Sequence, residues 1–319
     1  MSRLKIFSGT ASQYLGKAVC KYLGMNLGKV TLSRFADSEI NIQFEEDLRD
    51  CDVVILNSTQ PPAENLLEVI LMAEAARQSS ASKVILVIPY LGYNRQDRKD
   101  RPRVPISARV IARMISQSGA DRILLLDLHS EPTMGFFDHH IVVDHLYASI
   151  EAVPYLSELL KNDFVVASPD KGGGPRAEAY AKRLGQTEYV VCTKSRPESG
   201  LVNNDSIKVI GDVKDKDVLF IDDMIDTGGT ICADAVAVQR EGAKDVYAFA
   251  THGLFSQNAL IRLQNAPLKQ VVIMNTLHHN EALLKPYGDK IKVLSIHELL
   301  AKAILRLHQG QSLSPLILQ

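Results

Sequence analysis

Short apolar, β-rich runs alternate with segments of helical spacing along nearly the whole chain. The runs are Leu4–Ser8, Val53–Ser58, Lys83–Pro89, Ile123–Asp127, Phe164–Ser168, Tyr189–Thr193, Val218–Asp222, Val246–Ala250 and Val271–Met274. Between them lie Asn65–Ser79, Ile106–Ser118, Pro175–Leu184 and Ile231–Glu241, whose apolar positions recur with a helical period. Runs apolar on both faces and separated by helices of this length predict parallel sheets covered on both sides, an α/β class. The plan repeats in both halves, with a boundary expected near His145–Val153. A closing helix over Ile296–His308 is expected to lead the tail back to the first half.

A length of 319 residues agrees with about two domains. Hydrophobic residues at 46% and charged residues at 23% are an ordinary globular balance, which excludes wholesale disorder. The longest apolar runs are far shorter than the roughly 18 residues that span a bilayer, and MSRLKIFSGT does not read as a secretory signal. The net charge of −1 gives no broad positive field for nucleic acid. Cys20, Cys51, Cys192 and Cys232 form no CxxC pair and read as reduced thiols. A cytoplasmic protein with neither a membrane nor a nucleic-acid partner is the expectation.

In open parallel sheets, ligands sit beyond the carboxyl ends of strands. Directly after Val218–Ile221 comes Asp222-Asp223-Met224-Ile225-Asp226-Thr227-Gly228-Gly229-Thr230, then a helix. Gly228 and Gly229 let backbone N–H groups approach an anion, and Thr230 is placed to cap a helix that adds its own donors and dipole. This is a phosphate cradle. The carboxylates upstream would repel the phosphate, so they suit sugar hydroxyls or a metal. Alternation along a strand favours Asp222 alone as the ribose contact. The segment resembles the ribose 5-phosphate-binding signature of the phosphoribosyltransferase superfamily.

Four other loops narrow the class. Ser168-Pro169-Asp170-Lys171-Gly172-Gly173-Gly174 opens another helix, so its glycines suit a polyphosphate and Asp170 can reach magnesium. Asp127-Leu128-His129-Ser130 ends another strand, where a histidine is more often structural than a magnesium ligand. Tyr93–Arg103 carries four Arg and one Lys. It reads as a solvated face, a nucleic-acid contact or, better, a mobile clamp on a triphosphate. Lys194 and Arg196, at i and i+2 on an extended segment, project to one side and could reach one phosphate.

Together these segments resemble the ribose-phosphate diphosphokinase (PRPP synthase) family over essentially the whole chain. The matching text, in order, is IFSGTAS (Ile6–Ser12), FADSE (Phe35–Glu39), IPYLGYNRQDRKD (Ile88–Asp100) and PISA (Pro105–Ala108). DLHSE (Asp127–Glu131), GFFD (Gly135–Asp138), SPDKGG (Ser168–Gly173), KSR (Lys194–Arg196) and DDMIDTGGT (Asp222–Thr230) follow. The resemblance implies transfer of the diphosphoryl group of ATP to the C1 hydroxyl of ribose 5-phosphate, giving PRPP and AMP. It implies two phosphoribosyltransferase-like domains, residues 1–147 and 148–305, with a tail over 306–319, usually in a homohexamer with composite ATP sites. ATP would meet Phe35, Asp37, Ser38, Glu39, Arg95 and Gln96. Ribose 5-phosphate would meet Arg196, Asp222, Asp226, Thr227, Gly228, Gly229 and Thr230. Lys194 and Arg196 would be catalytic, with Mg2+ at His129 and Asp170.

A base-using phosphoribosyltransferase shares Asp222–Thr230 but generally lacks the RQD loop and the first domain. A catalytically silent regulatory homologue should have lost one of Lys194, Arg196, His129, Asp170 or the TGGT loop, and none is lost. The chain departs from the family where phosphate activates and ADP inhibits. Arg49, Ser312 and Ser314 match that pattern, whereas Asp47, Met134 and Ile317 do not. Weak phosphate activation and weak allosteric ADP inhibition are expected, because a carboxylate beside bound phosphate adds repulsion.

Overall fold

A computed structural model describes residues 3–194 and 207–317. It divides into two compact units. The first comprises residues 1–147, 276–278 and 296–319; the second comprises 148–275 and 279–295. The closing helix therefore belongs wholly to the first unit, whereas the sequence reading carried the second domain on to residue 305.

The first unit is built on strands β1 (Arg3–Ser8), β4 (Cys51–Leu56), β5 (Lys83–Ile88), β6 (Arg122–Leu126) and β7 (Val142–Leu146), paired in that order and all parallel. Every residue of β4 is buried, as expected of a strand covered on both faces. Helices α1 (Gln13–Tyr22), α2 (Glu64–Gln78), α3 (Ser107–Ser116) and α9 (His297–His308) accompany the sheet. On α3 the spacing of Ile111, Ala112 and Ile115 buries one face and leaves Arg109 and Arg113 in water. Helix α9 packs on α1, with His297 edge-on to Tyr22 at 5.9 Å. His308 at its end pairs with the buried Asp52 of β4 at 2.7 Å. A separate antiparallel hairpin, β2 (Val30–Arg34) with β3 (Ile40–Phe44), lies between α1 and β4 in the chain and was not foreseen. Its partly buried residues have no clean alternation to mark it.

The second unit holds a seven-stranded sheet in the order β10-β9-β8-β11-β12-β13-β14. These strands are β8 (Phe164–Ser168), β9 (Tyr189–Lys194), β10 (Ile207–Ile210), β11 (Asp217–Ile225), β12 (Val246–Gly253), β13 (Gln270–Met274) and β14 (Ile291–Leu294). Only the β9–β10 pair is antiparallel. Helices α4 (Ser149–Leu159), α5 (Gly174–Arg183), α6 (Gly229–Arg240), α7 (Ala259–Asn265) and α8 (Glu281–Leu284) complete it. Phe220, Phe249, Val218 and Ile273 are fully or almost fully buried and form part of its apolar core. The chain runs outward from β8 through β9 to β10, then returns to lay β11 on the opposite side of β8. That reversal is a topological switch point, the place where open α/β sheets open a crevice for ligands. Among the described residues no helix is long and apolar enough to cross a membrane.

Candidate active site

Strand β11 and the loop after it carry Asp222 and Asp226–Thr230, expected at the sugar phosphate, and the loop after β8, the adjacent strand at the reversal, carries Asp170 and the glycines expected at a polyphosphate. Strand β11 runs to Ile225, farther than its apolar run suggested, so both acidic residues lie within it. Their side chains differ in exposure. Asp223 is 3% exposed, while the Asp222 side chain retains 28% of its exposure. Arg176, on α5, donates from Nη1 to Asp223 Oδ1 at 3.1 Å and stands 3.9 Å from Asp222 Oδ1. Burial, reinforced by the neighbouring Asp223 charge, raises the Asp222 carboxyl well above its ordinary range. Asp222 Oδ1 accepts from Asp223 N at 2.9 Å; Asp222 is the more exposed member of the pair and Asp223 the more deeply buried one.

Beyond them the chain turns sharply. Gly228 takes φ 72° and ψ −2° and is itself the cap residue, so α6 begins at Gly229 and Thr230 is the second helical residue, not the cap. The left-handed conformation explains the correction, because Gly enters it without a Cβ penalty and Thr does not. A Cβ on Gly228 would rest at ordinary contact on Leu263, 3.5 Å away, so the need for glycine there is conformational. A Cβ on Gly229 would meet only Thr227 Oγ1 at 3.8 Å, leaving that surface open to a ligand.

Three successive carbonyls of this loop are held from behind. Asp226 O accepts from Ser256 N at 3.0 Å, Thr227 O from Arg262 Nη1 at 2.9 Å, and Gly228 O from Cys232 N at 3.1 Å. In a trans peptide the N–H points opposite to its carbonyl, so the N–H groups of Thr227, Gly228 and Gly229 each point away from the group holding the adjacent carbonyl. Successive amides so arranged at a helix start form an anion-binding nest.

The β8 loop is differently disposed. Ser168 Oγ donates to Asp170 O at 2.6 Å, and a Cβ on Gly173 would stand 2.7 Å from that hydroxyl. Gly173 N donates to Asp170 Oδ1 at 2.8 Å, so one of the amides expected for a polyphosphate is engaged by the predicted metal carboxylate. Asp170 remains exposed. Lys194 closes β9, and Arg196 lies outside the described residues.

In the first unit, Phe35–Glu39 form the tip of the β2–β3 hairpin. Phe35 is 56% exposed, Ser38 has φ 75°, and Asp37 Oδ1 accepts from Glu39 N at 3.1 Å. Arg95 is exposed on the loop after β5. The first part of that basic loop, Asn94–Asp97, is held by three side-chain hydrogen bonds. Gln96 Oε1 accepts from Ser107 Oγ, Ser130 Oγ donates to Asp97 Oδ2 at 2.6 Å, and Asn94 Oδ1 accepts from Thr133 Oγ1. His129 is exposed on the turn after β6, beside the bond from Leu128 N to His145 Nε2 at 3.0 Å. Among the described residues no three His, Cys, Asp or Glu cluster as a metal cage. Sequence reasoning singled out neither Arg176 nor Arg262: the glycine turn preceding Arg176 was a faint pointer, and Arg262 sits in no motif.

Residues 4–119 match the N-terminal domain of ribose phosphate pyrophosphokinase, and residues 186–318 match the phosphoribosyl synthetase-associated domain. The chain is 43% identical to ribose-phosphate pyrophosphokinase 1 of Spinacia oleracea, over 98% of this chain and 92% of that one. It is 40% identical to the ribose-phosphate pyrophosphokinase of Porphyromonas gingivalis, over 99% and 98%. The crystal structure of phosphoribosylpyrophosphate synthetase from Mycobacterium smegmatis superposes with a TM-score of 0.89 at 37% identity, covering 97% of this chain and 99% of that one. With relatives of this identity matched along almost their whole length, the chain belongs to the ribose-phosphate pyrophosphokinase family.

Proposed function

We propose that the protein transfers the β,γ-diphosphoryl group of ATP to the C1 hydroxyl of ribose 5-phosphate, releasing AMP and forming PRPP. The observation that carries the reading is the Asp226–Gly228 loop, with three carbonyls held by the scaffold, in a chain whose family membership spans its length. The nest takes the 5-phosphate, with Asp226 through Thr230 around it, and Asp222 accepts from the ribose hydroxyls. Phe35 lines the adenine site, and Asp37, Ser38, Glu39, Arg95 and Gln96 hold the rest of ATP, in a cytoplasmic homohexamer that shares its ATP sites between subunits.

The C1 hydroxyl attacks the β-phosphorus in line and AMP leaves, with no covalent intermediate. Such transfer asks the protein for positioning and for positive charge where charge spreads. Lys194 and Arg196, two residues apart in the sequence, supply that charge.

Magnesium fits this chain as an ion held mainly by substrate phosphates and water, since hard cations of this kind take only one or two carboxylates. The exposed carboxylate of Asp170 suits it as an oxygen donor, and the exposed imidazole of His129 is the other magnesium position that the family resemblance implies. When bound, magnesium neutralises and orders the polyphosphate oxygens. Measuring nucleotide release from ATP with and without ribose 5-phosphate tests the reading. AMP formed only when the sugar is present supports it; ADP as the product, or activity that requires a free purine base, would replace it.

A further inference from the structure

We infer that Arg262 is a positioning residue for the sugar-phosphate nest, acting through the orientation of the Thr227–Gly228 peptide. The inference rests on the reading of that loop as the ribose 5-phosphate site. Of the three carbonyls that fix the loop, those of Asp226 and Gly228 are held by backbone amides of Ser256 and Cys232. Thr227 O alone is held by a side chain, Arg262 Nη1 at 2.9 Å. Its peptide is also able to flip. A flip rotates ψ of Thr227 and φ of Gly228 together, and Gly at φ 72° can take the opposite sign of φ almost as readily. Flipped, the peptide would present a carbonyl where the nest needs an N–H, replacing attraction for an anion by repulsion.

The scaffold behind Arg262 is itself secured. Lys290 Nζ donates to Gln264 O at 2.9 Å and to Ala266 O at 2.8 Å, fixing the carboxyl end of α7. Leu263, the next residue along α7, is fully buried and lies under Gly228. Arg262 is exposed and borders an open cleft of about 380 Å³ between α6 and α7, lined also by Cys232, Ile261 and Asn265. Shortening its head group therefore opens no buried hole.

The test compares Arg262→Met, which keeps the stem and removes the donors, with Arg262→Lys, which keeps one donor group. Calorimetry with ribose 5-phosphate should show about tenfold weaker binding for Arg262→Met, the loss expected when one hydrogen bond to a charged donor disappears. Arg262→Lys should recover part of that loss, and ATP affinity and Tm should stay at the level of the unsubstituted protein. In ligand-free protein labelled at glycine, the Gly228 amide resonance should shift or broaden in Arg262→Met. An unmoved Gly228 resonance, or equal loss of both ligands, overturns the inference. Weakened sugar binding in Arg262→Met beside an unsubstituted protein that forms no AMP would overturn the catalytic reading and leave the role of Arg262 standing.

Discussion

Arg176 donates to the buried carboxylate of Asp223 at 3.1 Å and stands 3.9 Å from that of Asp222, the more exposed acid of the two. One guanidinium thereby sits against two adjacent acids of different exposure. Removing the cation leaves a carboxylate with 4% side-chain exposure facing its like-charged neighbour.

Arg176→Met should therefore destabilise the protein by about 2–4 kcal/mol, somewhat less than a wholly buried pair because Arg176 keeps some exposure. Urea unfolding measures this. The double variant Arg176→Met/Asp223→Asn should recover part of the loss. Loss that is purely additive would show that the two residues do not act as a pair.

Asp222 carries a pH signature. Its raised carboxyl means that the folded protein binds a proton more tightly there than the unfolded chain does. The resulting stability is fully present below the unfolded value of about 3.9 and is lost as pH rises through the folded one. Asp222→Asn should raise Tm above that range by about 2–4 °C, as about 1 kcal/mol would. The gain should vanish in acid. Ribose 5-phosphate binding should weaken about tenfold. A Tm gain that is equal at all pH values would contradict the assignment.

The two glycines of the nest should fail differently. Gly228→Ala forces a Cβ into a left-handed conformation and should cost about 1–2 kcal/mol of stability. Gly229→Ala meets open space within the protein and should fold normally while raising the KM for ribose 5-phosphate. Thermal melts and steady-state kinetics separate the two cases. Equal destabilisation by both would remove the distinction.

Much of this was legible in the chain. Apolar runs followed directly by unusual loops located both strands at the switch point. What escaped was either short or non-local. The hairpin that carries Phe35, the edge strands β7, β10 and β14, and the brief α7 lack a strong hydrophobic period. Helix α4 contains Pro154, which reads as a helix breaker. Arg262 reaches a carbonyl 35 residues away in the chain, and a bond to backbone leaves no motif.

Regulation gives a further expectation. Asp47 Oδ1 accepts from Arg49 N at 3.1 Å, so its carboxylate is anchored next to the arginine that matches the family's phosphate site. Toward the carboxyl end of the chain, Ser312 Oγ donates to Ser314 Oγ at 2.9 Å. A carboxylate fixed there opposes phosphate. ADP inhibition should be relieved by saturating ATP, and phosphate should activate weakly. An ADP series at several ATP concentrations, with and without phosphate, measures both. Strong phosphate activation with ADP inhibition that ATP cannot relieve would contradict it.

The most direct test of the central claim is phosphorus NMR of ATP, ribose 5-phosphate and magnesium with the protein. AMP and PRPP should appear in equal amounts, with no ADP, because the diphosphoryl group moves intact. The same spectra for Lys194→Ala should show turnover slowed by about 10²–10³, the usual effect of losing one charge-stabilising contact. ADP with a singly phosphorylated C1, or full turnover without Lys194, would contradict the account.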